Sequence, residues 1–157
     1  MKKNNYLVVI PARMESLRLP KKPLIDIAGK SLIQRTCEQV AKVIPVENFI
    51  VATDHNEILN HIMDLGYRVE LTSANCLTGT DRVAEIAIKY PHRHYINVQG
   101  DEPVINPNDI LKAVSAIEDF PNDILNGYTA IGSEEDYFSN TIPKVVFRPD
   151  GRLLYMS

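Results

Sequence analysis

The sequence predicts an open α/β fold, a mostly parallel twisted sheet with helices on both faces. Three observations predict it. Short continuous apolar runs rich in β-branched residues, such as 6–12 and 48–53, read as strands buried on both faces. Amphipathic helical stretches separate these runs, and strand alternating with helix is the pattern of parallel βαβ units. The chain has 157 residues, the size of one domain with a core of its own, so a single α/β domain over 1–157 is expected.

The first strand is Tyr6 to Ala12. A helix runs from Ser31 to Ile44: Ser31 caps its free N–H groups and Gln34 stands at the reciprocal capping position. Ile33, Cys37, Val40, Ala41 and Ile44 share one face, and Pro45 ends the helix. Asn48 to Thr53 is the next strand. Asp54 then caps a helix with Glu57 three residues on; Ile58, Leu59, Ile62, Met63 and Leu65 form its inward stripe, and Gly66 its left-handed end. Tyr67 to Leu71 is a short strand and 72–79 a polar loop. Thr80 caps a helix reaching about Tyr90, stopped by Pro91, and His94 to Gln99 is a strand. Asn106-Pro107 is a cap-then-proline helix start, with Ile110, Leu111, Val114 and Ile117 facing inward. Ile124 to Ile131 reads as a strand and 136–138 as a helical turn. Residues 144–148 and 152–157 read as a hairpin around Pro149-Asp150-Gly151. There is no internal repeat and no low-complexity stretch.

Composition excludes several classes. With 45% hydrophobic and 24% charged residues, the chain is ordinary globular protein rather than a disordered segment. A net charge of -3 argues against a nucleic-acid-binding surface. Cys37 and Cys76 form no CxxC pair, so neither a disulfide framework nor a zinc knuckle is expected, and reduced thiols are. His55, His61, His92 and His94 show no HExxH spacing, and no GxSxG elbow occurs. No apolar run approaches the roughly 18 residues of a membrane span. The N-terminus meets Pro11 and Arg13 too early for a signal peptide. A soluble cytoplasmic protein with no nucleic-acid or membrane partner is expected.

In sheets of this kind ligands bind at the carboxyl ends of the strands, where strand order reverses. That rule selects 13–23, 53–56, 72–82 and 99–103. The loop PARMESLRLPKKP (11–23) carries Arg13, Arg18, Lys21 and Lys22 against one acid, Glu15. Guanidinium groups grip phosphate oxygens bidentately and lysine adds a compact charge, so the loop suits a polyphosphate. A merely solvated basic loop is the alternative, and its place at a strand end favours binding. Neither GxGxxG nor GxxxxGK[ST] occurs, so side chains and the turn backbone would hold the phosphates. Gln99-Gly100-Asp101-Glu102-Pro103 follows a strand. One carboxylate beside a glycine suits a hard divalent cation held jointly with phosphates. Simple turn chemistry is the other reading; the basic loop tips the balance to a metal–nucleotide site, with Asp101 favoured over Glu102. Thr78-Gly79-Thr80-Asp81-Arg82 could read a base or ribose, or be an ordinary N-cap.

Four segments, IPARMESLRLPKKPLIDIAGKSLI (10–33), IVATDH (50–55), TGTDRVAE (78–85) and INVQGDEPVI (96–105), occur in this order. Together they resemble the 3-deoxy-manno-octulosonate (Kdo) cytidylyltransferases, or CMP-Kdo synthetases, over 6–157. RLPKKPL and QGDEP favour this branch over the sialic-acid synthetases, which open with a similar IPAR. The resemblance implies a nucleotide-diphospho-sugar transferase-like Rossmann-type fold. It implies CTP and Kdo as substrates, CMP-Kdo and pyrophosphate as products, lipopolysaccharide biosynthesis as the setting, and Mg2+ as cofactor. By position, Arg13, Arg18 and Lys22 would grip the triphosphate, with Pro11 and Ala12 beside it at the strand end. Thr78, Gly79 and Arg82 would lie around the cytidine, Gln99 beside the sugar acid and ribose, and Asp101 on the metal.

The chain departs from that family in two respects. Members are longer, continuing past Ser157 into a sugar-binding and homodimerising region with a second metal-binding aspartate. A truncated chain is therefore expected, lacking that region. Lys21 stands where many members have glycine. A CTP-binding fragment without turnover, and an enzyme for amino-Kdo or a sialic acid, are the alternatives.

Overall fold

The computed structural model describes residues 5–15 and 19–157, Glu135 by its backbone alone. Along the chain run β1 (Tyr6–Ala12), β2 (Asp26–Ile27), β3 (Lys30–Ser31), α1 (Leu32–Ala41), β4 (Phe49–Thr53), α2 (Asn56–Asp64), β5 (Val69–Leu71), α3 (Gly79–Lys89), β6 (His94–Asn97), α4 (Pro107–Asp119), α5 (Glu134–Phe138), β7 (Val145–Phe147) and β8 (Leu153–Met156). Where one domain is expected from length, the chain clusters into two compact units, 1–123 and 124–157.

In the first unit β1 is the axis. It pairs in parallel with β4 on one side, from Val8 opposite Phe49 to Ala12 opposite Thr53. On its other side it pairs in parallel with β6, from Tyr6 opposite His94 to Val9 opposite Asn97. β5 adds to β4, so the order is β5-β4-β1-β6. Successive side chains of a strand point to opposite faces. Val8, Ile10 and Ala12 accordingly join a core with Phe49, Val51, Ile33, Cys37 and Val40 of α1, Ile58 and Ile62 of α2, and Ile110 of α4. Leu7 and Val9 join Ile50, Ala52, and Val83 and Ile86 of α3 on the other face. Helices thus cover both faces, as the continuous apolar strands require. Burial in the first core pushes the Cys37 thiol up to about 12, which makes it an inert packing group at neutral pH.

Helix caps follow the expectations in part. Ser31 caps α1, accepting from the Gln34 N–H at 3.1 Å, and Asn106 caps α4. Two differ. His55, not Asp54, caps α2, its Nδ1 accepting from the Glu57 N–H at 3.2 Å. The Asp54 carboxylate is turned instead toward Met14 and Arg82. Thr78, not Thr80, caps α3: its hydroxyl accepts from the Asp81 N–H at 3.2 Å while the Asp81 carboxylate accepts from the Thr78 N–H at 2.7 Å. Only Thr78 has an acid three residues on, so the box forms there. Met63 and Leu111, placed in apolar stripes by spacing, are 58% and 41% exposed.

The small β2–β3 hairpin turns through Ala28 (φ 51) and Gly29 (φ 80), consecutive left-handed residues that match the twist of a two-residue turn. In the second unit β7 and β8 pair antiparallel, Val145 opposite Met156, with a register shift between Val146 and Phe147 and Gly151 left-handed at the tip. This is the expected hairpin. Residues 124–131, expected as a strand, hold no regular structure. Apolar content suits a strand but supplies no ladder; β7 and β8 pair with each other, and the segment's Ile124 is 95% exposed. Among the described residues no helix is long and apolar enough to cross a membrane.

Candidate functional site

After β1 the chain builds β4 and β5 on one side, then crosses back to place β6 on the other. The carboxyl ends of β1 and β6 thus meet where strand order reverses, the place where sheets of this kind leave a crevice. A cavity of about 320 Å³ lies there. Its walls bring together Pro11 and Ala12 from the end of β1, Arg13 from the turn that follows, Lys22 from the basic loop, Thr78, Gly79 and Arg82 from the start of α3, and Gln99 and Asp101 from the turn after β6. Arg18 lies outside the described residues. The structure adds Glu15, Pro23, Leu32, Leu77 and Gly100 to the lining. Leu77 is 82% exposed, an apolar rim that sequence pattern did not single out.

Two glycines set the floor by space rather than by backbone angle. A Cβ on Gly100 would stand 2.6 Å from the Pro11 carbonyl oxygen, which the Gly100 N–H itself donates to at 3.2 Å. A Cβ on Gly79 would meet Pro11 Cγ at 3.1 Å and Gln99 Oε1 at 3.3 Å. The start of α3 is therefore packed closely against Pro11 and Gln99, and a side chain at Gly79 would require those neighbours to shift by a few tenths of an ångström. The Thr36 hydroxyl donates to the Gly100 carbonyl at 3.0 Å, tying α1 to the same turn. Gln99 Nε2 donates to Asn97 Oδ1 at 3.2 Å.

The adjacent lysines of the basic loop diverge. Lys21 is left-handed (φ 54), the conformation glycine adopts without strain, and its ammonium meets the Glu57 carboxylate at 2.9 Å. That hydrogen bond holds the Glu57 carboxyl below the usual carboxylate range. Lys22 points into the crevice and pairs with Asp101 at 2.5 Å. Both partners remain substantially exposed, at 35% and 47%. An exposed pair of this kind is worth about 0–1 kcal/mol, so a ligand can open it at little cost. A lysine beside a carboxylate at a strand end offers one group to an anion and one to a cation.

A second charged pair lies deeper. The Arg82 side chain is 2% exposed, and its guanidinium donates to the Asp54 carboxylate, to Thr72 Oγ1 at 2.7 Å and to the Ser73 carbonyl at 3.1 Å. No buried side-chain N or O atom among the described residues lacks a partner, so this charge is compensated within the protein. No group of three or more His, Cys, Asp or Glu that could hold a metal ion occurs among the described residues. Among the described residues, Asp101 and Glu15 are the carboxylates lining the crevice. That fits a magnesium ion, which keeps waters and substrate phosphates in its shell and takes only one or two carboxylates from protein. It would not fit a cation needing an all-protein cage.

Comparisons with known proteins show which family the chain resembles. The cytidylyltransferase family matches residues 7–157. The 3-deoxy-manno-octulosonate cytidylyltransferase of Protochlamydia amoebophila (strain UWE25) is 40% identical over 154 residues, covering 95% of this chain and 60% of the relative. That of Geobacter sulfurreducens is 39% identical over 154 residues, covering 98% and 62%. A solved structure of CMP:2-keto-3-deoxy-manno-octonic acid synthetase complexed with CTP superposes with a TM-score of 0.86 at 34% identity, covering 97% of this chain and 63% of that one. The chain spans about 60% of the length of the curated relatives it matches. On residues 7–157, nearly its whole length, this chain belongs to the cytidylyltransferase family.

Proposed function

We propose that the chain forms the CTP-binding part of an enzyme that joins CTP to the sugar acid Kdo, giving CMP-Kdo and pyrophosphate. The observation that carries the reading is the switch-point crevice, where Arg13 and Lys22 face Asp101 across the ends of β1 and β6. The relatives named for this reaction and the neighbour solved with CTP support it. Arg13 and Lys22 hold the triphosphate, and Thr78, Gly79 and Gln99 border the nucleoside. As the triphosphate enters, Lys22 exchanges its carboxylate partner for phosphate oxygens, and Asp101 is the residue that would hold a magnesium ion. Bound magnesium would supply positive charge against the triphosphate. The sugar's anomeric hydroxyl oxygen attacks the α-phosphorus. The bond from that phosphorus to the bridging oxygen breaks, and pyrophosphate leaves with the electron pair while the hydroxyl proton passes to solvent. Such chemistry rests on positioning and charge neutralisation, which is what fixed cationic side chains on strand ends provide. The reading carries with it a cytoplasmic location and a homodimer in the full-length form.

Calorimetric titration of this chain with CTP and magnesium, with ATP and UTP as controls, tests the reading. Binding that prefers CTP and gains from magnesium is expected, and Asp101→Asn is expected to lose the magnesium-dependent gain. Equal binding of ATP, or an undiminished gain in Asp101→Asn, would overturn the corresponding assignment. Pyrophosphate release with Kdo against other sugar acids tests the acceptor.

A further inference from the structure

Asp54 begins the turn after β4 and is not among the residues lining the crevice, yet its carboxylate joins two segments that are. Oδ1 accepts from the Met14 N–H at 3.2 Å, in the turn that carries Arg13 and Glu15. Oδ2 accepts from Arg82 Nη2, early in the helix whose first residues, with Thr78, form another part of the lining. Arg82 extends the tie to Thr72 and Ser73 after β5, and the Thr72 hydroxyl donates to the Thr53 carbonyl at 3.0 Å. One carboxylate and one guanidinium thus fasten together the turns after β1, β4 and β5 and the start of α3. With Arg82 2% and Asp54 14% exposed, water screens the pair little.

We propose that Asp54 and Arg82 are positioning residues, which set the separation between the phosphate-side wall at Arg13 and the nucleoside-side wall at Thr78 and Gly79. This rests on the reading of the crevice as a CTP site. A ligand that spans two subsites gains affinity from their fixed spacing, because seating one half presents the other at high effective concentration. Loosening the brace leaves each subsite able to bind its own fragment and removes the advantage of the whole ligand. A general loss of structure would weaken every ligand alike.

The test is titration of CTP, cytidine and inorganic tripolyphosphate, followed by NMR line positions, in the wild type, Asp54→Asn, Thr72→Val and Arg82→Lys. Asparagine keeps the size of aspartate, but its single amide oxygen can accept from only one of Met14 and Arg82, and the other then faces an NH2 donor. Asp54→Asn is expected to lose about tenfold or more in CTP affinity, with cytidine and tripolyphosphate changed less than about twofold. Thr72→Val removes one acceptor from Arg82 and is expected to show the same pattern with a smaller loss; it carries the test if Asp54→Asn does not fold. Arg82→Lys should keep cytidine binding. Unchanged CTP affinity, equal loss of all three ligands, or selective loss of cytidine in Arg82→Lys would each overturn the proposal while leaving the CTP reading intact. Failure of the wild type to bind CTP would remove that reading and this inference together.

Discussion

Two ion pairs border one crevice and differ in almost every physical respect. Lys22 and Asp101 are 35% and 47% exposed, and among the described residues neither side chain forms another hydrogen bond. Arg82 and Asp54 are 2% and 14% exposed and are held by Thr72, Ser73 and Met14 as well. Water solvates the first pair when it opens, so opening costs little and both charges become available to a ligand. The second pair has no such alternative: parting it strands a charge in a low-dielectric site. The same attraction is a removable placeholder in one setting and a structural brace in the other, and burial alone makes the difference.

The largest effect that could break this contrast is on stability. Asp54→Ala should cost about 3–5 kcal/mol, because Arg82 is left buried and uncompensated. Asp101→Ala should change stability by no more than about 1 kcal/mol. Urea midpoints at unchanged slope read both, and comparable losses would erase the distinction. Next comes damage without charge. Gly100→Ala should cost about 1–3 kcal/mol, since its Cβ would stand 2.6 Å from the Pro11 carbonyl oxygen and force the ends of β1 and β6 apart. It should also weaken CTP binding; unchanged stability and binding would show that the crevice floor yields easily.

Salt sharpens the contrast further. Between about 0.1 M and 1 M salt the screening length falls from about 10 Å to about 3 Å. Any stability difference between the wild type and Lys22→Met should vanish over that range, whereas the difference for Thr72→Val, whose partners are buried, should persist. The smallest effect concerns an exposed carboxylate in the first turn of α3. The Thr78 N–H and hydroxyl hold the Asp81 carboxyl below the usual aspartate range. Its contribution is therefore present above the unfolded value of about 3.9 and is lost as pH falls through the lower folded value. Thermal unfolding of the wild type and Asp81→Asn should show a gap at neutral pH that closes in acid; a gap that widens in acid would contradict the capping role.

Much of the first unit was legible. The strand 6–12 matches β1 to the residue, and Ser31 and Asn106 cap the helices that their spacing implied. Three of the four segments chosen by the strand-end rule, all but 53–56, and three of the four family motifs, all but 50–55, contain residues that line the crevice. What misled were local patterns with two readings. Asp54-His55-Asn56-Glu57 has the spacing of a capping box, but a carboxylate within reach of a buried guanidinium gains more there than at a helix end. Leu153–Met156 looks as apolar as Leu7–Ile10, yet the four former residues are exposed and the four latter wholly buried. Hydrophobicity states a tendency to be covered and does not supply the covering surface.

The sequence by itself determined the architecture of the sheet and the charge of its loops. Strands apolar on both faces must be sandwiched by helices, and the turns that leave them carry their own lysines, arginines and aspartates. Only the tertiary structure decided which charges meet. Asp54 and Arg82 are 28 positions apart and Lys22 and Asp101 are 79. Hydrogen bonding acts over a few ångströms, so such pairs exist only once strand order has brought their turns to one edge of the sheet.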